Sequence, residues 1–176
     1  MENTAVNTLS KSSAAESVST EKHLTFFIDN QLFAIQSSQV VEIIRMQPIT
    51  FMPKLPPYVK GVINLRGKIV PLIDLRLKLG KEPAEYDEHT SIVVVDTGDI
   101  SVGFIVDRVN DVTDIAKNQI SESPKLAKAT ENNYVTGIAT LENEVAMILD
   151  PVCILTETDS EVKSEKAVQN PADANA

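Results

Sequence analysis

The chain repeats itself, and no other feature restricts its fold as much. Shifted by 76 positions and without a gap, Gly61 to Leu79 (GVINLRGKIVPLIDLRLKL) lies over Gly137 to Leu155 (GIATLENEVAMILDPVCIL). Gly61 meets Gly137, Leu65 meets Leu141 and Ile69 meets Val145. Leu72 meets Ile148, Ile73 meets Leu149, Asp74 meets Asp150 and Leu79 meets Leu155. A weaker match at another offset sets Ala34, Ile35 and Val40 against Gly103, Phe104 and Val109. These are two copies of a unit of roughly 70 residues, a size at which neither copy buries a stable core alone. The copies should share an interface, and that interface is a natural groove.

The patterning predicts short strands. Leu24 to Ile28 and Leu32 to Ile35 flank Asp29-Asn30-Gln31 as a hairpin. Ser37 or Ser38 offers a cap, and Val40, Val41, Ile43 and Ile44 have helical spacing, so SSQVVEIIR is expected to form a short amphipathic helix. Gln47 to Pro57 holds four prolines and reads as an irregular connection. Val59 to Leu65 and Lys68 to Ile73 read as strands about Arg66-Gly67, with a helical turn from Asp74 to Leu79 ended by Gly80. Ser91 to Val95 and Ile100 to Val106 form a second hairpin, and Val109, Val112 and Ile115 carry an extended segment. Lys117 to Asn133 is polar and loop-like. Tyr134 to Leu141 and Val145 to Leu149 form the last hairpin, and Asp150 caps a final turn that starts with Pro151. Many short strands with only short helices predict a mostly β fold of small antiparallel barrels.

The repeat also separates structural demands from other demands. Gly67 pairs with Asn143, two residue types that tolerate a left-handed turn, so one turn geometry is expected in both copies. Asp74 and Asp150 are explained by helix capping. Asn64 pairs with Thr140, consistent with a local side-chain hydrogen bond. Arg66 pairs with Glu142, so the turn does not require its charge. Arg66 is then either an unconstrained surface residue or a contact residue suited to a carboxylate on a partner.

Composition narrows the function classes. The formal charge of −9 argues against general binding to nucleic acid, and 43% hydrophobic residues argue against disorder throughout. The charge is unevenly placed: Lys54 to Lys81 holds seven bases and one acid, whereas Glu82 to Leu155 holds fourteen acids and four bases. No apolar run is long enough to span a bilayer, and Met1 to Lys22 has no secretory pattern. A single cysteine, Cys153, cannot form an internal disulfide and reads as a small core residue. A cytoplasmic protein is expected. Residues 1–22 and 157–176 contain no aromatic residue and read as flexible, disordered tails around a folded part at about 23–156.

The inventory of reactive groups is thin. His23 and His89 lie at segment edges, remote in sequence from each other and from the cysteine. No metal-ligand motif, nucleophile elbow or phosphate-cradling glycine loop occurs. Asp107, Asp111 and Asp114 lack the glycine of a calcium loop and read as a solvated face. With few aromatics, base stacking is not expected either. Elimination leaves a binding module with no catalytic residues, no metal and no cofactor.

GVINLRGKIVPLIDLR at Gly61 to Arg76, VGFIVDRVNDV at Val102 to Val112 and YVTGIATLENEVAMILD at Tyr134 to Asp150 resemble the CheW-like domain family of bacterial chemotaxis coupling proteins. The resemblance covers residues 23–156. It implies two SH3-like, five-stranded antiparallel β-barrels with short helices, here as pseudo-repeat halves of about 24–88 and 89–156. It implies an adaptor that joins the cytoplasmic tips of methyl-accepting chemotaxis receptors to the regulatory domain of the histidine kinase CheA. The adaptor would be a monomer when free and would meet the membrane only through receptors. Carried over by position, Val40, Glu42, Arg66 and Val109 are implied on the receptor side, and Lys60, Gly61 and Gly137 at a kinase or other partner interface. The length implies a stand-alone coupling protein without kinase or receiver domains. The other readings are a coupling protein of a related pathway, such as one for twitching motility, and a ligand-binding module that uses the groove.

Overall fold

Asp29 and Asn30 both adopt a positive φ, +50° and +59°, and this tight turn folds β1 (Thr20–Ile28) back onto β2 (Gln31–Gln36) with Ile28 opposite Gln31. The computed structural model describes residues 17–122 and 134–156. β1 starts within the segment that composition placed in the N-terminal tail, and Thr20 to Lys22 pair with a later strand.

Ser37–Gln39 form one 3-10 turn with no side-chain cap, and β3 (Val40–Arg45) follows. The helix expected over SSQVVEIIR is thus corrected to a turn and a strand. Four of the six residues of β3 are β-branched, and the strand alternates half-buried and exposed positions. The helical spacing of these residues loses to pairing with β6 (Ser91–Asp96). Before that strand come β4 (Val59–Leu65), β5 (Lys68–Asp74) and the helical turn α1 (Leu75–Lys78), capped by Asp74. After it come β7 (Ser101–Val106) and β8 (Arg108–Ala116). Within the expected loop of Lys117 to Asn133, a 3-10 turn at Lys117–Gln119 leads into β9 (Ile120–Glu122); the rest of that stretch lies outside the described residues. β10 (Val135–Thr140) and β11 (Val145–Leu149) precede α2, residues 151–156.

The strands form one sheet in the order β8-β1-β2-β11-β10-β9 and another in the order β3-β6-β7-β5-β4. The protein is mostly β, and the first sheet carries β9 beyond the five strands expected. The two orders are one pattern. Replacing each strand of β3-β6-β7-β5-β4 by its counterpart in the other copy gives β8-β1-β2-β11-β10. The first hairpin of each copy is therefore inserted into the sheet of the other, by parallel pairing of β2 with β11 and of β7 with β5. Register repeats as well: Leu72 faces Gly103 and Ile148 faces Ala34. Both copies bulge at equivalent positions, between Val59 and Gly61 and between Val135 and Gly137.

This exchange places the largest core cluster between the sheets, where Phe26, Phe33 and Ile35 meet Ile73, Phe104, Tyr134 and Leu149. Cys153 packs on its margin. A smaller cluster fills each sheet's own concavity. Apolar burial of this kind stabilises each side chain by roughly 1.5–3 kcal/mol, and here it also locks the copies together.

Candidate docking surface

β3 and β4 stand at opposite edges of the five-stranded sheet, yet Arg66 at the tip of β4 donates to the carboxylate of Glu42 on β3. The sheet has curled until its edges approach. Inside the curl Ile44, Met46, Ile49 and Leu65 pack on Ile63, Val70 and Val94. Arg66 has φ +51° and Gly67 φ +84°, which makes the tip a two-residue turn between Leu65 and Lys68. The Asn64 carboxamide oxygen accepts from the Gly67 amide at 2.8 Å and holds that turn.

The second copy does not build the same turn. Neither Glu142 nor Asn143 takes a positive φ, although the Leu141 amide donates to the Glu144 carbonyl at 2.9 Å at the positions matching the Leu65–Lys68 pair. The expectation of one shared turn is corrected, because only the glycine adopts the left-handed region without cost. Arg66, a residue with a Cβ in that region, carries backbone strain of about 1 kcal/mol.

The Glu42–Arg66 pair lines a concavity of about 170 Å³ with Val41, Lys68, Val70 and Ser101. Val41, which lines it, is exposed, as are Ile43 on the same strand and Ile69 opposite Asn64 beside the tip; Phe51 and Met52, in the connection after β3, are exposed as well, Phe51 at 76%. None of these five was among the expected site residues, because exposure cannot be read from residue type. Val40 and Val109, equivalent in the repeat, are half-buried and both pack against the central cluster between the sheets. Of the four positions expected on the receptor side, Glu42 and Arg66 touch, while Val40 and Val109 border the inter-sheet core.

The remaining positions lie on the bulges. Lys60 is the extra residue between Val59 and Gly61. A Cβ at Gly61, φ +138°, would stand 2.1 Å from the Thr50 carbonyl oxygen, and one at Gly137 would stand 3.2 Å from that of Ser121. A neighbouring chain segment passes close over both glycines, at the Thr50–Val62 bridge and at Ser121 opposite Ile138. Their residue type is set by this close approach.

A charged cluster that the sequence reading missed sits elsewhere. Arg76 of α1 donates to both oxygens of Asp107, the single residue between β7 and β8, and its Nη1 lies 3.6 Å from Asp29. These hydrogen bonds push the guanidinium further up from its already basic range. Asp107 is thus not part of a solvated acidic face, whereas Asp114 lies 3.9 Å from Lys22 at the surface. Beside α1, burial and a 2.7 Å hydrogen bond to Asp74 push the Tyr86 phenol well above its ordinary range. Backbone amides of His89 and Thr90 hold the exposed Asp87 carboxylate below its usual range.

Two interlocked sheets, a strained arginine tip and an apolar rim define a β-sheet scaffold domain. The chain belongs to the CheW-like domain family, a family of chemotaxis scaffold proteins, whose model matches residues 22–159. It is 37% identical to the chemotaxis protein CheW of Klebsiella aerogenes over 137 residues, 78% of this chain and 82% of that one. It is similar to the crystal structure of the scaffolding protein TtCheW from Thermoanaerobacter tengcongensis, with a TM-score of 0.70 and 30% identity over 75% of this chain and 90% of that one. It is also 27% identical to the protein PilI of Pseudomonas aeruginosa over 70% of this chain and 69% of that one. Among the described residues no helix is long and apolar enough to cross a membrane.

Proposed function

We propose that the chain is a non-catalytic adaptor that couples methyl-accepting chemotaxis receptors to the regulatory domain of the histidine kinase CheA. The observation that carries this reading is the Glu42–Arg66 pair at an exposed hairpin tip rimmed by Val41, Ile43 and Ile69. The helical hairpin of a receptor tip lays its apolar face against such a rim, and the paired charges select its register. Val40 and Val109 extend the contact toward the inter-sheet core. Lys60 and the bulges at Gly61 and Gly137 face the kinase or another partner. Each contact is modest, and an ordered array of receptors supplies the avidity. The adaptor works in the cytoplasm, is a monomer when free and reaches the membrane only through receptors.

The likeness to PilI supports a second reading, a coupling protein of a related chemosensory pathway such as one for twitching motility. Co-sedimentation of the full chain with a receptor cytoplasmic fragment and the kinase, read out as kinase activity, tests the coupling. The adaptor should bring the kinase into the receptor pellet and change its activity, with kinase recruitment weakened by high salt. A pellet that contains the same amount of kinase with and without the adaptor overturns the reading.

A further inference from the structure

A pocket of about 260 Å³ opens at one end of the six-stranded sheet, away from the Glu42–Arg66 concavity and lined by none of its residues. Its polar lining among the described residues is Glu21, His23, Gln36, Gln39, Thr136 and Asp150, with no lysine or arginine among them. His23 is only 3% exposed. Its Nδ1 lies 3.0 Å from the Glu21 carbonyl oxygen, which can only accept, so Nδ1 carries the proton. In the neutral ring Nε2 is the lone-pair acceptor, and no described residue donates to it. The Gln36 amide donates to a Glu21 carboxylate oxygen at 3.4 Å, and the Thr136 hydroxyl donates to the Ile148 carbonyl at 3.4 Å. Asp150 also lines the pocket, and one of its carboxylate oxygens accepts the Val152 amide at 2.9 Å.

The repeat shows that the fold does not need these groups. His23 is paired with Gln36 on one side and Thr113 on the other. At the equivalent positions of the other sheet stand Ile92, Ile105 and Ile44, with Ile92 and Ile105 buried in an apolar cluster. Lys60 stands where this pocket has Thr136. Burying an imidazole where isoleucine serves the same backbone forgoes apolar stabilisation and desolvates a polar ring. The polar set therefore answers to something other than folding.

The geometry points to a binding site for a guanidinium or primary ammonium group. Two carboxylates, an imidazole lone pair, a hydroxyl and amide oxygens offer acceptors, which suits a cation rich in N–H donors. The carboxylates repel an anion. Among the described residues no three His, Cys, Asp or Glu side chains come together to share a metal ion. The head group belongs either to a free small cation or to an arginine or lysine of a protein partner.

Methylguanidinium is the probe, titrated into the full chain while the ring signals of His23 are followed by NMR, with His89 as the internal control. The His23 signals should move saturably in the millimolar range, and neutral methylurea should leave them unmoved. Glu21→Gln should weaken the response about tenfold, as expected for loss of a charged hydrogen-bond acceptor. Absence of saturation, or an equal response to methylurea, overturns the site, and the methylurea comparison stands even if the variant folds poorly. Saturating methylguanidinium is then added to the receptor and kinase co-sedimentation. Displacement of a protein from the pellet assigns the head group to that partner's side chain. Unchanged pellets together with saturable binding assign it to a free small cation.

Discussion

Arg76 grips Asp107 with one edge of its guanidinium, Nε 3.2 Å from one carboxylate oxygen and Nη2 2.6 Å from the other. Asp107 sits at the point where the chain leaves the five-stranded sheet and enters the six-stranded one. Its second oxygen also accepts the Asp29 amide at 2.8 Å. One bidentate pair thus joins α1, the crossover and the β1–β2 turn. The repeat has no second clasp, because Val152 stands where Arg76 would be and Ser38 where Asp107 would be. Arg76→Met should lower stability by about 1–3 kcal/mol, since it strands a partly buried carboxylate. Urea unfolding measures this; an unchanged midpoint would show that the clasp holds nothing.

Arg66 tests the docking surface separately from stability. Its side chain is 76% exposed, so its pair with Glu42 is worth about 0–1 kcal/mol. Arg66→Glu should weaken receptor co-sedimentation and leave the melting transition nearly unchanged. Arg66→Gly removes the cost of a positive φ but frees the unfolded chain, so stability should stay within about 0.5 kcal/mol while receptor binding falls. Normal binding by both variants would remove Arg66 from the surface.

The glycines should rank by geometry. Gly61→Ala meets a backbone oxygen at 2.1 Å at φ +138° and should cost about 3 kcal/mol or more. Gly137→Ala meets the Ile120 methyl at 2.9 Å, which can give way, and should cost about 1–2 kcal/mol. Gly67→Ala has open space but φ +84°, and should cost about 1 kcal/mol. Thermal melts in which Gly61→Ala is not the most costly of the three contradict the close approach at Gly61.

Tyr86 sets an alkaline dependence. Burial and the Asp74 carboxylate raise its phenol above the unfolded value of about 10. A raised acid contributes stability that is complete below the unfolded value and is lost as pH rises through the folded one. The parent should therefore lose stability above about pH 10 more steeply than Tyr86→Phe, which has no phenol to ionise. Parallel melting curves between the two from neutral to alkaline pH would contradict this.

The hairpin at Asp29-Asn30, the tip at Arg66-Gly67 and the caps Asp74 and Asp150 were legible in the sequence, because each depends on neighbours within a few positions. So was the repeat, whose matched residues return as matched register. Val40 to Arg45 was misread because its spacing satisfies a helix and a strand alike, and the choice fell to an edge of β6 some fifty positions later. Asn143 was misread because tolerance of a left-handed turn does not oblige a residue to make one. His23 looked like a segment edge, and only its pairing with Gln36 and the approach of β10 turned it into a pocket wall.

By itself the sequence determined the family, the two copies and the positions of their turns, all carried by local chemistry and internal matching. The tertiary structure alone decided that each copy lends its first hairpin to the other, that Arg76 meets Asp107 and that Glu21, His23 and Asp150 face one cavity. These choices join residues far apart in the chain, and loop closure grows only slowly in cost with separation. Distant partners therefore leave little local mark, and burial between the two sheets selects among them.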